Sequence, residues 1–349
     1  MSRMTSSERI LKALSLQEPD AIPTFEIEID ESVMDAILPG ASYEDFCEHL
    51  DIDALCYHEF LGDKYEVLDE AKRVVRDQWG AVKQYTPGAF VPIPREWAIE
   101  SEGDLERYAS PDPDDPSRYT RIQQGVQRFK GDRAIVACIR PFSTLKDSLL
   151  GDMNLFRAVA TNPDFVDRLN AVIADYYTRY VKNLIDVGVD AVFEVADWAA
   201  TQGPMVSPKQ TERFIIPLLK DIVEQCHARG VKCLKHSDGN IWPIFDLIVN
   251  TGVDCVDPID PLGGMDLGEA KIRYGQKVCL MGNVDCGQLL SFGSTSEVRE
   301  AVKTCIRQAG AAGGYICASS NSIHGAVKPE NYVEMIGALR EYGVYPLSI

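Results

Sequence analysis

Long hydrophobic runs are missing from this chain. No stretch of about 18 apolar residues, the length that marks a candidate membrane-spanning helix, occurs anywhere in it. The opening MSRMTSSERILKALSLQEPD is polar and helix-like, and without an apolar h-region no secretory leader is expected. Basic stripes are missing too. Lys and Arg number 35 against 53 Asp and Glu, for a formal charge of −18 and a pI near 4.7. Neither a nucleic-acid backbone nor an anionic membrane surface is therefore expected as a partner. The ten cysteines lack a disulfide-type spacing. Cys138, Cys233, Cys255, Cys279 and Cys317 sit inside apolar strand-like runs, where a reduced cysteine acts as a small hydrophobe, and the pattern fits a reducing cytoplasm.

Hydrophobic residues make up 45% of the 349 and charged residues 25%, an ordinary globular balance with material for one sizeable core. Short β-branched runs alternate with longer amphipathic stretches, as in repeated βα units. Strand candidates fall at 21–27, 52–58, 134–139, 190–195, 231–236, 253–257, 277–281 and 314–318. Eight strands close a (β/α)8 TIM barrel, so a single α/β barrel domain over 1–349 is expected. A doubly wound open sheet is the alternative, but no Gly-rich phosphate turn comes after the first strand candidate. Helical spacing marks 163–187, 208–229 and 329–342. The irregular stretch 60–133 contains DQWGAVKQYTPGAFVPI, which reads as a β-hairpin, then PDPDDPSRY and a helix. It is read as an insertion between the second and third strands that covers the C-terminal face of the barrel.

Barrel logic directs attention to the residues at the C-terminal end of each strand. The strand ends carry Glu26 and Glu28, His58 and Glu59, Arg140, Glu194 and Asp197, His236 and Asp238, Asp257 and Asp260, Asn283 and Asp285, then Cys317, Asn321 and His324. Carboxylates and imidazoles dominate, and such a ring repels itself unless a metal or cationic centre sits within it. In His236-Ser237-Asp238, positions i and i+2 share a strand face, so both side chains can reach one point. Imidazole plus carboxylate suits Zn²⁺ or a similar divalent ion. Equally, Asp238 can cap the next helix while His236 only makes a hydrogen bond in the barrel mouth. Cys317 is either a further ligand or a core filler. Glu194, Asp197 and His58 are the expected acid–base groups, and Asp197 reads as well as a solvated loop acid or cap. Glu26, Arg140, Asn321 and His324 are expected to meet substrate, Arg140 as an anion anchor or as half of a structural salt bridge.

Several segments together resemble the uroporphyrinogen decarboxylase superfamily: ERILKALSLQEPDAIP, ADWAATQGPMVSPKQTERFIIPLLKDI, KHSDGNIWPIFDLIVNTGVDCVDPIDP, MGNVDCGQLLSFGSTSEVREAV and SNSIHGAVKPENYVEMIGAL. The resemblance spans nearly the whole chain and implies the barrel fold with one of two activities, porphyrinogen decarboxylation or corrinoid-dependent methyl transfer. Decarboxylases of this group carry an Arg-rich stretch after the first strand, where this chain has the acidic Phe25-Glu26-Ile27-Glu28-Ile29-Asp30. Thiol-methylating relatives bind zinc through H-x-C and a later Cys. His236 matches their histidine, whereas Asp238 stands at the first Cys and Asn321 at the second, with Cys317 four residues upstream. The resemblance thus implies a harder, oxygen-rich metal site, suited to polarising a methoxy oxygen. The implied reaction moves a methyl group from a small methoxylated donor to the Co(I) corrinoid of a separate protein, since no D-x-H-x-x-G corrinoid-binding run is present. A uroporphyrinogen decarboxylase-like enzyme and a non-catalytic small-ligand barrel are the alternatives.

Overall fold

The computed structural model describes residues 3–59, 65–86 and 92–349. Its strands, in chain order, are β1 (Ala54–His58), β2 (Glu66–Asp69), β3 (Val74–Arg76), β4 (Val82–Gln84), β5 (Ile93–Glu96), β6 (Ala134–Ile139), β7 (Ala191–Glu194), β8 (Ala199–Ala200), β9 (Gly203–Pro204), β10 (Lys232–His236), β11 (Cys255–Asp257), β12 (Cys279–Val284) and β13 (Tyr315–Ser319). Seven of them form one curled parallel sheet in the order β1-β6-β7-β10-β11-β12-β13. These are the second to eighth strands expected from the β-branched runs, each connected to the next through helices. Because both faces are covered, their residues are buried almost without alternation, as in AIVACI of β6.

The first expected strand, 21–27, is a correction. It forms no regular strand, because Pro23 has no N–H to give a ladder. The segment still lies between the two edges of the sheet: Cys317 N of β13 donates to Pro23 O at 3.0 Å, and Asp53 N, just before β1, donates to Thr24 O at 2.8 Å. Ile29 then bridges Ile323 in parallel register.

The expected helices appear as Pro163–Val187, Pro208–Phe214 with Ile216–Ala228, and Pro329–Tyr342. Pro217 breaks the second into two, since its missing N–H cannot continue the ladder. Gly188 closes Pro163–Val187 at φ +103°, a left-handed cap that turns the chain directly into β7. The ten cysteines are all free and buried. Among the described residues, no helix is long and apolar enough to cross a membrane.

Between β1 and β6 lies an antiparallel sheet of order β2-β3-β4-β5. The expected hairpin is its β4–β5 pair, and the tip at 87–91 falls outside the described residues. This sheet is tied to the helical segment Thr144–Leu150 that follows β6. Lys83 Nζ of β4 lies 2.7 Å from Asp77 Oδ2 and donates to Ser148 Oγ at 2.9 Å. Ala98 N and Ile99 N donate to the carbonyls of Ser148 and Leu149 at 3.0 and 2.9 Å.

Candidate metal centre and active-site cavity

The C-terminal ends of β7 and β10 bring three ligand-bearing side chains to one point. His236 closes β10 with its imidazole buried. Its Nε2 lies 3.5 Å from Asp197 Oδ1 and 3.5 Å from Asp238 Oδ1. One donor atom from each of the three lies within 4.8 Å of the others. On the far side of the ring, Nδ1 lies 2.7 Å from Asp257 Oδ2, across the His236–Asp257 register of β10 and β11. A carboxylate there keeps a proton on Nδ1 and aims Nε2 at Asp197 and Asp238. The loops are laced in turn: Asp238 N donates to Asp197 Oδ1 at 2.9 Å, Trp198 N to Ser237 Oγ at 2.9 Å, and Asn321 Nδ2 donates to Asp238 Oδ2.

The electrostatics of this group call for a cation. Burial pushes the Asp238 carboxyl up to about 7; His236 pulls it down, while the charges of Asp197, Asp260 and Asp257 add to the rise. Burial would lower the His236 imidazole, but its bonds to Asp197 and Asp257 outweigh that and raise it well above its ordinary value. Asp238 Oδ1, facing Nε2, is buried and has no hydrogen-bond partner among the described residues. An orphaned carboxylate oxygen in such a place is costly unless an ion meets it. Atoms sharing a tetrahedral zinc ion sit about 3.4 Å from one another, close to the spacing found here, and one nitrogen with two oxygens suits Zn²⁺ or another borderline ion with positions left open. The residues fit a divalent metal.

A cavity of about 920 Å³ opens at the C-terminal ends of β1 and β6; Asp197, His236 and Asp238 are not among its lining residues, but His58 on its wall feels the charge of His236. The main-sheet side supplies Ile27 to Ser32, His58 and Arg140, while the small sheet and its flanks supply Lys83, Tyr85, Ile93 and Pro94. His58 Nε2 lies 2.8 Å from Ile27 O, which can only accept, so Nε2 carries the proton. Burial, outweighing the bond to Ile27 and aided by the charges of Arg140 and His236, lowers its pKa to about 4, so the ring is neutral. Glu28 is raised to about 7, by burial first and by Asp30, against Arg140. The lining cations are already committed: Lys83 to Asp77 at 2.7 Å, Arg121 to Glu44 at 3.3 Å and Arg140 to Glu59 at 3.6 Å.

The sequence profile described as Uroporphyrinogen decarboxylase (URO-D) matches residues 74–342. The chain belongs to this family. Over 248 residues it is 25% identical to the uroporphyrinogen decarboxylase of Trichodesmium erythraeum, covering 68% of this chain and 66% of that protein. Over 261 residues it is 26% identical to that of Vibrio campbellii, covering 70% and 69%. The matches thus span about two thirds of the length of these relatives. In fold, this member of the uroporphyrinogen decarboxylase family is similar to a methyltransferase from Methanosarcina mazei, with a TM-score of 0.75 at 16% identity, over 97% of this chain and 99% of the other.

Some residues singled out in the sequence lie elsewhere in this family member. Cys317 is fully buried in β13 and outside the three-residue group; burial and the neighbouring Cys305 thiol push its pKa up. Glu194 comes directly after Phe193, whose ring meets that of His236 at 6.3 Å, so strand alternation turns Glu194 to the opposite face. There it pairs with Lys235, fully buried. His324 is half-buried, its Nδ1 accepting from Ala326 N at 3.3 Å. Asp257, the partner of His236, stood among the strand-end acids without a role. Its signal is the cross-strand register, which no local pattern carries.

Glu26 is buried rather than cavity-lining, and accepts from Ser319 N at 3.1 Å and Ser319 Oγ at 2.6 Å. Burial raises it to about 8 even though the Ser319 bonds lower it. The folded protein therefore keeps a proton that the unfolded chain releases above its ordinary 4.5. Stability contributed by this group falls as pH rises from about 4.5 to about 8 and changes no further above that. Melting curves from pH 5 to 9 should show a steeper decline for the parent than for Glu26→Gln, whose amide stays neutral. Parallel declines would show that Glu26 holds no extra proton.

Proposed function

We propose that this chain is a methyltransferase that moves a methyl group from a small methoxylated donor to the Co(I) corrinoid of a partner protein. The observation that carries the reading is the Asp197–His236–Asp238 group, with Asp257 behind the imidazole and Asp238 Oδ1 without a hydrogen-bond partner among the described residues. We read segment 21–29 as the irregular eighth stave of a (β/α)8 barrel and the β2–β5 sheet as the cover of its mouth. The activity in the name of the Methanosarcina relative agrees with methyl transfer.

Methyl ethers react poorly because an alkoxide or phenolate must leave. Asp197, His236 and Asp238 would hold a divalent ion, which supplies Lewis acidity at the ether oxygen. Asp257 keeps His236 in the tautomer that presents Nε2, and Asn321 fixes Asp238. Glu28, with its pKa raised to about 7, holds a proton near neutrality on the cavity wall and would hand it to the departing oxygen of a donor that reaches from the metal group into the cavity. The C–O electron pair would stay on that oxygen, and a Co(I) corrinoid, held by the partner, would supply the electron pair for the new bond to the methyl group. Neutral His58 beside Glu28 orients donor without adding charge.

Decarboxylation of uroporphyrinogen is the competing reading, and the cavity opposes it. Glu28, Asp30, Glu31 and Asp147 line the space while its cations are committed to acids, so a polycarboxylate meets like charge. Purified protein incubated anaerobically with uroporphyrinogen should yield no coproporphyrinogen. With a reduced corrinoid protein and a panel of methoxylated donors, it should release demethylated product. Coproporphyrinogen formation with every donor inert would overturn the assignment.

A further inference from the structure

We propose that the buried pair Glu194–Lys235 is a positioning brace that sets the distance between Asp197 and the His236–Asp238 end of β10; the inference rests on the metal reading above. Lys235 is 0% exposed and Glu194 2%, and the two form an ion pair on the face of the sheet opposite His236. Lys235 Nζ also donates to Ala196 O at 2.5 Å, while Glu194 Oε1 accepts from Ala196 N at 3.2 Å. The same ammonium lies 4.0 Å from the centroid of the Trp198 ring, itself buried. Ala196 and Trp198 flank Asp197, so the residues on both sides of one candidate ligand are tied to the side chain that immediately precedes another.

Holding the sheet to its helices does not require this chemistry. Apolar side chains of similar volume do that at least as well, because desolvating two charges offsets most of their attraction. What the ammonium adds is direction: its donors, aimed at the Glu194 carboxylate and the Ala196 carbonyl, fix the loop after β7 against β10. Groups behind metal ligands that orient them typically change metal affinity by about 10- to 100-fold when removed.

The test uses the full chain and Co²⁺ as the probe, read by competition with a chromophoric chelator and by the visible spectrum of the bound ion. The double variant Glu194→Gln/Lys235→Met removes both charges at similar volume. It should melt within a few degrees of the parent yet bind Co²⁺ about 10- to 100-fold more weakly, with an altered absorption envelope. Val302→Ala, in the buried face of the distant helix Thr295–Ala309, should lower the melting temperature and leave Co²⁺ binding alone. If the double variant does not fold, Glu194→Asp carries the same test, since it keeps the charge and shortens the reach. A parent that binds no Co²⁺ defeats the metal reading itself. A parent that binds, with braceless variants of equal affinity and unchanged spectrum, defeats the brace alone.

Discussion

Replacing His236 with alanine is expected to remove the bound divalent ion and to lower methyl transfer by about 100-fold or more. The imidazole is the single nitrogen in the candidate donor set, and Asp257 fixes it from behind. Without it, Asp197 and Asp238 are two neighbouring carboxylates with no cation between them, and Asp257 loses its one imidazole partner. Two acids so placed repel each other, so the site would draw apart or take up protons. Cys317→Ala provides the contrast. Its thiol lies outside the group, so metal content should stay at the parental level. Metal analysis of the two purified variants, with transfer assayed alongside, checks both expectations. A folded His236→Ala protein with parental metal and parental rate would refute the first, and metal loss in Cys317→Ala the second.

Gly239→Ala is expected to cost about 2–4 kcal/mol of stability and to disable the site with it. Gly239 comes directly after Asp238 at φ +84°, where an L side chain is strained. A methyl group there would also stand 2.5 Å from both the carbonyl carbon and the oxygen of Ala200. Backbone cannot yield as the tip of a flexible side chain can. Gly239 N in addition donates to Asp260 Oδ2 at 2.9 Å, so any shift of residue 239 moves Asp238 away from Nε2 of His236. Thermal melting with metal analysis measures both effects. A variant that melts with the parent and keeps its ion would show that the loop is free to adjust.

Much of this architecture was legible in the residues because βα units announce themselves locally. The seven strands of the main sheet coincide with β-branched runs, and Gly188 marks the entry to β7 with a cap. The segment 21–27 looked equally strand-like, yet Pro23 denies it a ladder. The strands β2 (EVLD) and β3 (VVR) lie in a charged stretch and are too short to show a period-2 alternation: Val67 and Leu68 are exposed and only Val75 is buried.

The site was legible in part for a related reason. His236, Asp197 and Asp238 stand at or just beyond strand ends, where barrel logic looks first. Glu194 and Cys317 also lie at strand ends, but these strands are buried on both faces. No polar–apolar alternation reveals which side chains point to the interior and which to the helices. Only the three-dimensional register turns Glu194 toward Lys235 and brings Asp257 behind His236. Glu28 is a similar case: its raised pKa comes from burial on the wall of the cavity, which its neighbours in sequence do not disclose.

The central claim, a divalent ion at Asp197, His236 and Asp238 that drives methyl transfer, is tested most directly by titrating metal back into chelator-treated protein. Transfer from an active methoxylated donor to a reduced corrinoid protein would be recorded at each addition. The account predicts near-zero transfer without metal and a rise that levels off at about one equivalent per chain. Full transfer by the metal-free protein, unmoved by any addition, would contradict it.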